Sequence, residues 1–294
     1  MSVPLVARAP AKVNLTLRVL GRRADGYHEL ESLVVFADCG DRLTFTPGSA
    51  LSLTLSGATA SEAGADADNL VLKAARALAA RIPDLILGAF RLEKNLPVAA
   101  GLGGGSSDAA AALRLIAQAN KLALDNPDLQ AAARATGADV PVCLDPRPRL
   151  MRGIGEQLSE PLPLPQLPTV LVNPGVALAT KHVFAGLNAS TQLGAPFDLV
   201  AAIAKLESRD QLLHMLETQP NALEAPAIVL QPVIADVLTV LRGLAGCQLA
   251  RMSGSGATCF GLFASAVDAD AAAKILRAKY PNWWAQACTL GSGV

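Results

Sequence analysis

Pro97-Val98-Ala99-Ala100-Gly101-Leu102-Gly103-Gly104-Gly105-Ser106-Ser107-Asp108 runs into a stretch rich in Ala and Leu. That stretch reads as a helix to about Asn120, and Ser106 or Ser107 is its expected cap. Four glycines lie within Gly101–Gly105. Glycine leaves the backbone N–H groups unobstructed and free to take φ > 0. A helix N-terminus adds orphan N–H groups and the positive end of the dipole. Together they make an anion site, most often for phosphate. The plain alternative is a flexible turn between a strand and a helix. Two familiar phosphate motifs are excluded. A Walker A loop requires Gly-Lys-Ser/Thr, and here Ser106-Ser107 follow the last glycine. A Rossmann fingerprint requires a third glycine where Ser106 stands, within a tight βαβ unit that Pro97 interrupts.

Upstream, Val13, Leu15, Leu17 and Val19 alternate with polar residues, as in a half-buried strand. Arg22 to Gly26 is a turn. Leu33 to Ala37, Arg42 to Thr46 and Leu51 to Leu55 read as short strands, the last two joined by Pro47-Gly48 as an antiparallel hairpin. Asp68 is the expected cap of a helix over Asn69 to Arg81, and Ala89 to Lys94 is a strand. Downstream, Asp128 to Ala135 is a helix, broken by Gly137-Ala138-Asp139-Val140-Pro141.

The proline-rich stretch Pro161 to Pro168 reads as a linker between domains at 1–160 and 161–294. Beyond it come a strand (Val170 to Val172) and helices (Asp198 to Leu216, Pro232 to Leu244). Strands at Gln248 to Met252 and Ala257 to Phe263, a helix at Asp268 to Lys279 and a strand at Trp283 to Thr289 follow. Setting aside the first helix, the order is β-α-β-β-α-β, the split ferredoxin-like arrangement. The first half mixes strands and later helices, so the fold class is α+β.

The 294 residues are 51% hydrophobic and 17% charged, with mean hydropathy +0.36. Such a chain buries a large core, which excludes global disorder. Lys+Arg and Asp+Glu number 25 each, which argues against a nucleic-acid or anionic-membrane surface. Aromatic residues make up only 4%, too few for base-stacking platforms along a strand. Cys39, Cys143, Cys247, Cys259 and Cys288 form no C-x-x-C pair and read as buried free thiols. Met1 to Lys12 has no apolar stretch of signal-peptide length, and five prolines break the long uncharged run from Pro161 to Thr180. The expectation is a cytoplasmic protein.

Several further residues could carry chemistry. Asp139 stands in a break between apolar segments, where a turn or cap role is the plain alternative. Lys12 and Asn14 share one strand face. Tyr27 and His28 follow a turn and can stack on and hydrogen-bond a base, or cover the edge of the core. Ser253-Gly254-Ser255-Gly256 is either a second polar loop at a ligand or an ordinary hairpin turn. His182 and His214 are isolated, and no cluster has metal-ligand spacing.

Taken together these pieces resemble the GHMP small-molecule kinases. The family's middle motif matches Pro97 to Ser107, and its C-terminal glycine motif matches Ser253 to Thr258. Pro10 to Leu15, Arg23 to His28, Asp68 to Leu70 and Gly137 to Pro141 fall in family order, so the resemblance spans nearly the whole chain. It implies a two-lobed fold, with an N-terminal ribosomal-protein-S5-domain-2-like lobe and a C-terminal ferredoxin-like lobe. It also implies transfer of the ATP γ-phosphoryl, with Mg²⁺, to the hydroxyl of a small molecule. The string Arg23-Ala24-Asp25-Gly26-Tyr27-His28 points to a member whose acceptor carries a cytidylyl group.

On that resemblance, Pro97, Val98, Ala99, Ala100, Gly101, Leu102, Gly103, Gly104, Gly105, Ser106 and Ser107 wrap the ATP phosphates. Ser107 approaches the metal, and Asn69 and Lys94 lie near the nucleoside. Asp139 orients or accepts the proton of the attacking hydroxyl, and Lys12 offsets the charge developing there. Tyr27, His28 and Phe184 take the cytosine, and Asn14 and Thr180 the rest of the acceptor. Lys181 stands where the family often has proline after the threonine. Asp108, in the first helical turn, favours the dipole but repels phosphate, so it either points away or is screened by Mg²⁺. The expected partner is a small molecule alone, with neither nucleic acid nor membrane, and the chain a monomer or weak homodimer. Other readings stay open: a kinase for homoserine, mevalonate or a sugar, which should lack the Tyr27-His28 string, and a catalytically silent nucleotide binder. The presence of both Lys12 and Asp139 argues against the latter.

Overall fold

The computed structural model describes residues 3–48, 50–63, 68–187, 194 and 198–291. In chain order come β1 (Leu5–Asn14), β2 (Arg18–Arg22), β3 (His28–Pro47), β4 (Ser52–Ser56), α1 (Leu70–Ala79), β5 (Gly88–Glu93), α2 (Gly104–Asn120), α3 (Pro127–Thr136) and α4 (Val140–Leu144). Then follow β6 (Arg149–Gly153), β7 (Gln157–Leu158), β8 (Leu167–Asn173), α5 (Thr180–Ala185), α6 (Leu199–Ile203), α7 (Arg209–Glu217), α8 (Glu224–Leu230) and α9 (Val233–Arg242). The chain finishes with β9 (Cys247–Met252), β10 (Cys259–Phe263), α10 (Ala266–Lys279) and β11 (Trp284–Leu290). It packs as two units. One comprises Met1–Lys12, Gly40–Val98 and Gly103–Pro146; the other comprises Val13–Cys39, Ala99–Leu102 and Arg147–Val294.

In the first unit, β5 lies between the second half of β3 and β4. It is antiparallel to β3 (Arg42↔Glu93) and parallel to β4 (Ser52↔Ala89). Along β5, Phe90 and Leu92 are buried while Arg91 and Glu93 are exposed, the alternation of a strand with one face on a core. Phe45 and Phe90 stack with ring centroids 4.7 Å apart. Helix α1 buries Val71, Leu72, Ala74, Ala75 and Leu78, and it packs on α2 and α3. Helix α2 buries an unbroken alanine run, Ala109 to Ala112, whose small side chains allow neighbouring helices to approach closely.

Three expectations fail in this unit. Arg42 to Thr46 is not a separate strand, because β3 runs unbroken through Gly40. A Cβ at Gly40 would lie 2.3 Å from the Ala9 carbonyl, so that glycine permits close approach of another backbone rather than a turn. Pro47-Gly48 does not close a hairpin, since β4 pairs with β5. Asp68 is not the cap of α1: Asn69 is, its Oδ1 accepting the Val71 N–H at 3.0 Å.

In the second unit, β2 (Arg18↔Glu31) and β6 (Leu30↔Gly153) both pair with the first half of β3. Four strands stand in the order β11-β8-β10-β9, all antiparallel. Helices α9 and α10 pack on these strands. Val170, Val172, Cys259 and Phe263 meet Ile234, Val237 and Leu241 from α9 and Ala272, Ala273 and Leu276 from α10 in one core. Each large apolar side chain so buried contributes about 1.5–3 kcal/mol. The single helix expected over Asp198 to Leu216 is two, α6 and α7. Ser208 starts the second: its Oγ accepts the Gln211 N–H, and Gln211 Oε1 accepts the Glu207 N–H at 2.8 Å. The proline-rich segment 161–166 has no regular structure and lies inside this unit, with Leu162 buried.

Candidate active site

Lys12 ends the part of β1 that belongs to the first unit, and its ammonium is 2.8 Å from Asp139 Oδ2. The lysine side chain is 5% exposed and the carboxylate 36%. Asp139 is the residue before α4, but its side chain makes no cap hydrogen bond, which leaves the carboxylate to the lysine and to solvent. Behind it, burial and the Asp139 charge push the Cys143 thiol up to about 12, so this thiol is inert. Gly103 packs against the Lys12 stem: a Cβ there would stand 3.1 Å from Lys12 Cβ and Cε. The lysine is thereby fixed beside the opening of α2.

The glycine loop takes positive φ at Ala99 (51°), Gly101 (76°) and Gly103 (60°). Gly103, not Ser106 or Ser107, is the cap of α2, and it offers no side chain to the first-turn N–H groups. Those donors of Gly104 to Ser106 belong to a 17-residue helix and suit an anion. Ser107 is fully buried and donates its hydroxyl to the Pro10 carbonyl at 2.7 Å.

Asp108 turns inward, onto a buried charge cluster. Lys94 Nζ lies 2.8 Å from Asp108 Oδ2 and also donates to Asp41 Oδ2. Asp41 Oδ1 accepts the N–H groups of Asn95 (2.5 Å) and Leu96 (2.9 Å). Burial, with Asp41 alongside, raises Asp108 to about 7 against the opposing pull of Lys94. Burial also works against the Lys94 charge, but Asp108 and Asp41 outweigh it and its pKa rises. Lys94, expected at the nucleoside, is thus 4% exposed and held by two carboxylates, and Asn69 caps α1.

The second unit holds the remaining expected residues. Ser253 Oγ accepts the Asn14 N–H at 3.1 Å and donates to the Gly101 carbonyl at 3.0 Å. Asn14 Nδ2 donates to Ser32 at 2.7 Å, while its buried Oδ1 has no protein partner. Asn221 Nδ2 donates to the Met252 and Gly254 carbonyls, both at 2.8 Å, and shapes the second glycine loop. A cavity of about 780 Å³ is lined by Arg22, Tyr27, His28, Thr180, Lys181 and Phe184, among others. The His28 and Phe184 rings are 5.0 Å apart and tilted by 31°. Tyr27 is 61% exposed at the end of the turn that Gly26 allows with φ 87°. Burial, then the Arg22 charge, lowers the His28 pKa, so the ring is neutral near pH 7. Thr180 Oγ1 is 2.8 Å from Ser255 Oγ.

The structure thus brings Lys12 to Asp139, and Tyr27, His28, Thr180 and Phe184 to one cavity. Sequence reasoning missed Asp41 and Asn221. Asp41 lies within a strand pattern that reads as surface, and only the buried Lys94 opposite explains it. Among the described residues no three His, Cys, Asp or Glu side chains converge to hold a metal.

Comparison with known proteins identifies the family. The description "GHMP kinases N terminal domain" matches residues 69–145, and "GHMP kinases C terminal" matches residues 199–282. A 4-diphosphocytidyl-2-C-methyl-D-erythritol kinase from Rhodopseudomonas palustris (strain ATCC BAA-98 / CGA009) is 59% identical over 288 residues, covering 96% of each chain. The chain belongs to the 4-diphosphocytidyl-2-C-methyl-D-erythritol kinases, a branch of the GHMP kinases. A crystal structure of a 4-(cytidine 5'-diphospho)-2C-methyl-D-erythritol kinase superposes with TM-score 0.76 at 36% identity, covering 98% of this chain and all of that one. A homoserine kinase from Cytophaga hutchinsonii follows at TM-score 0.73 but 21% identity, which speaks for the GHMP kinase fold alone. Tyr27 and His28 both line the cavity.

Proposed function

We propose that the protein transfers the γ-phosphoryl group of ATP to the 2-hydroxyl of 4-diphosphocytidyl-2-C-methyl-D-erythritol, a step of the non-mevalonate route to isoprenoid precursors. The observation that carries the reading is the Lys12–Asp139 pair, 2.8 Å apart and packed against the Gly103 opening of α2. Asp139 holds the acceptor hydroxyl and takes its proton as the P–O bond forms. Lys12 offsets the charge developing on that oxygen. Phosphoryl transfer is governed by positioning and charge stabilisation, so one carboxylate and one ammonium suffice on the acceptor side.

Residues Pro97 to Ser107 form the phosphate loop, with donors from the start of α2. Asn69 and Lys94 stand at the nucleoside end. Mg²⁺ bound to the ATP phosphates would neutralise part of their charge, and such an ion would keep several waters and need few protein ligands. Ser107, buried and bonded to Pro10, supports the loop from within. Tyr27 and Phe184 hold the cytosine between ring faces, His28 meets its polar edge, and Asn14 and Thr180 contact the rest of the acceptor.

The reading extends to the folds of the lobes. We read 161–294 as a ferredoxin-like C-terminal domain, which the β11-β8-β10-β9 order supports, and 1–160 as a ribosomal-protein-S5-domain-2-like N-terminal domain, of which 13–39, 99–102 and 147–160 pack in the second unit. Balanced charge supports a cytoplasmic monomer or weak homodimer that acts on a small molecule, with no nucleic-acid or membrane partner. Among the described residues no helix is long and apolar enough to cross a membrane.

The test is ADP release with ATP, Mg²⁺ and 4-diphosphocytidyl-2-C-methyl-D-erythritol, beside homoserine and mevalonate. Turnover confined to the cytidylyl acceptor is expected. Turnover of homoserine or mevalonate instead would overturn the reading.

A further inference from the structure

The cavity around Tyr27 has two chemically distinct parts. His28 and Phe184 supply ring faces 5.0 Å apart, beside the exposed Tyr27 ring. Among the described residues, the charged ones lining the cavity are Arg22 and Lys181, and no carboxylate is among them. With His28 neutral, the lining carries two positive charges and no negative one. A ligand that matches it has a flat polar ring and an anionic group. Lys181 directly follows Thr180 in the first turn of α5, and Thr180 is tied to Ser255 at 2.8 Å.

We propose that Lys181 is a specificity-determining residue of this kinase, giving the diphosphate of the cytidylyl acceptor a charge contact at the cavity wall. The inference rests on the function proposed above. It assigns Lys181 to the diphosphate and not to the base. The contact is an exposed one, so it is modest in size and sensitive to salt.

The test separates base from diphosphate and pocket from overall charge. Binding of cytidine and of cytidine 5'-diphosphate is measured by calorimetry with a non-hydrolysable ATP analogue saturating the nucleotide site. Acceptor KM is measured in parallel at low and high salt. Lys181→Met should weaken cytidine 5'-diphosphate about two- to fivefold and leave cytidine unchanged. It should raise acceptor KM by the same factor, flatten its salt dependence, and leave kcat and the KM for ATP unchanged. Lys181→Arg should restore all of these. Lys205→Met removes an equal charge from an exposed position outside the cavity and should change neither ligand. Equal weakening of cytidine and its diphosphate, no change in either, or an equal effect from Lys205→Met would each overturn the proposal. If the wild type binds cytidine 5'-diphosphate but turns over no cytidylyl acceptor, the proposed function falls while the binding comparison still decides the role of Lys181.

Discussion

Ser253 reaches the Gly101 carbonyl with its hydroxyl at 3.0 Å, although 152 residues separate the two. The approach is closer still along the backbone. A Cβ on Gly101 would lie 2.5 Å from the Ser253 carbonyl and 2.8 Å from that of Gly256. The second glycine-rich segment is thus the wall against which the first is folded.

Gly101→Ala therefore meets backbone on two sides and also strains a φ of 76°. Gly26→Ala meets nothing within 4 Å and carries only the strain of φ 87°. The second change should cost about 1–2 kcal/mol. The first should cost clearly more and raise the KM for ATP. Urea unfolding of the two variants checks the ranking, and equal losses would contradict the packing described.

Asp139→Asn should lower kcat by about 10²-fold or more. ATP affinity should stay within a few-fold, because the phosphate donors lie at the start of α2. Single-turnover ADP release gives the first quantity and calorimetry with an ATP analogue the second. A variant that retains a tenth of wild-type kcat would remove Asp139 from the chemistry.

The Asp108 proton should make stability fall as pH rises. Burial chiefly raises the folded-state pKa to about 7, against an ordinary carboxyl value of 3.8. Between those two values the folded state binds the proton and the unfolded state does not. The contribution is therefore complete below about pH 4 and lost by the time pH passes about 7. Asp108→Asn removes this titration. Urea unfolding of both proteins at pH 5 and pH 8 should show the variant gaining on wild type at the higher pH. A constant difference would be evidence that Asp108 is ionised throughout.

Tyr27→Ala should raise acceptor KM by about 5- to 100-fold, the range of one lost base–aromatic stack. The side chain is 61% exposed, so the midpoint of unfolding should barely move. The KM for ATP should not change. Steady-state kinetics with each substrate varied in turn provides the check.

Much of the fold is legible in the sequence where local pattern and tertiary role agree. Strand β5 and the C-terminal end of α2 match their expected bounds closely, whereas α2 starts at Gly104, ahead of the serines expected to cap it. The disagreements have one cause. Pro47-Gly48 and Asp68 read as a local turn and a local cap, whereas the structure pairs β4 with β5 and uses the neighbour of Asp68. Gly40 makes room for Ala9, and Asn69 makes the cap bond. Lys12 and Asp139 lie 127 residues apart, and no local pattern joins them. Only the family resemblance could. Asp108 looked like a misplaced charge because its partners, Lys94 and Asp41, arrive from other strands. The Ser208–Gln211 cap is readable from spacing alone, within the largely polar stretch Lys205 to Gln211.

The parallel register of β4 on β5 has a consequence for synthesis on the ribosome. β5 must sit between β3 and β4, yet it is made after both. A nascent chain that has reached Ser56 therefore holds β4 with no strand to join. That strand stays unpaired until α1 and then Glu93 have left the exit tunnel. At about 5–20 residues per second this wait lasts seconds, far longer than a hairpin takes to close. The segment from Ser52 to Ser56 is thus the part of the nascent first unit most in need of chaperone cover, and the alternating exposure of its short pattern, with Thr54 between Leu53 and Leu55, limits how much apolar surface is on offer meanwhile.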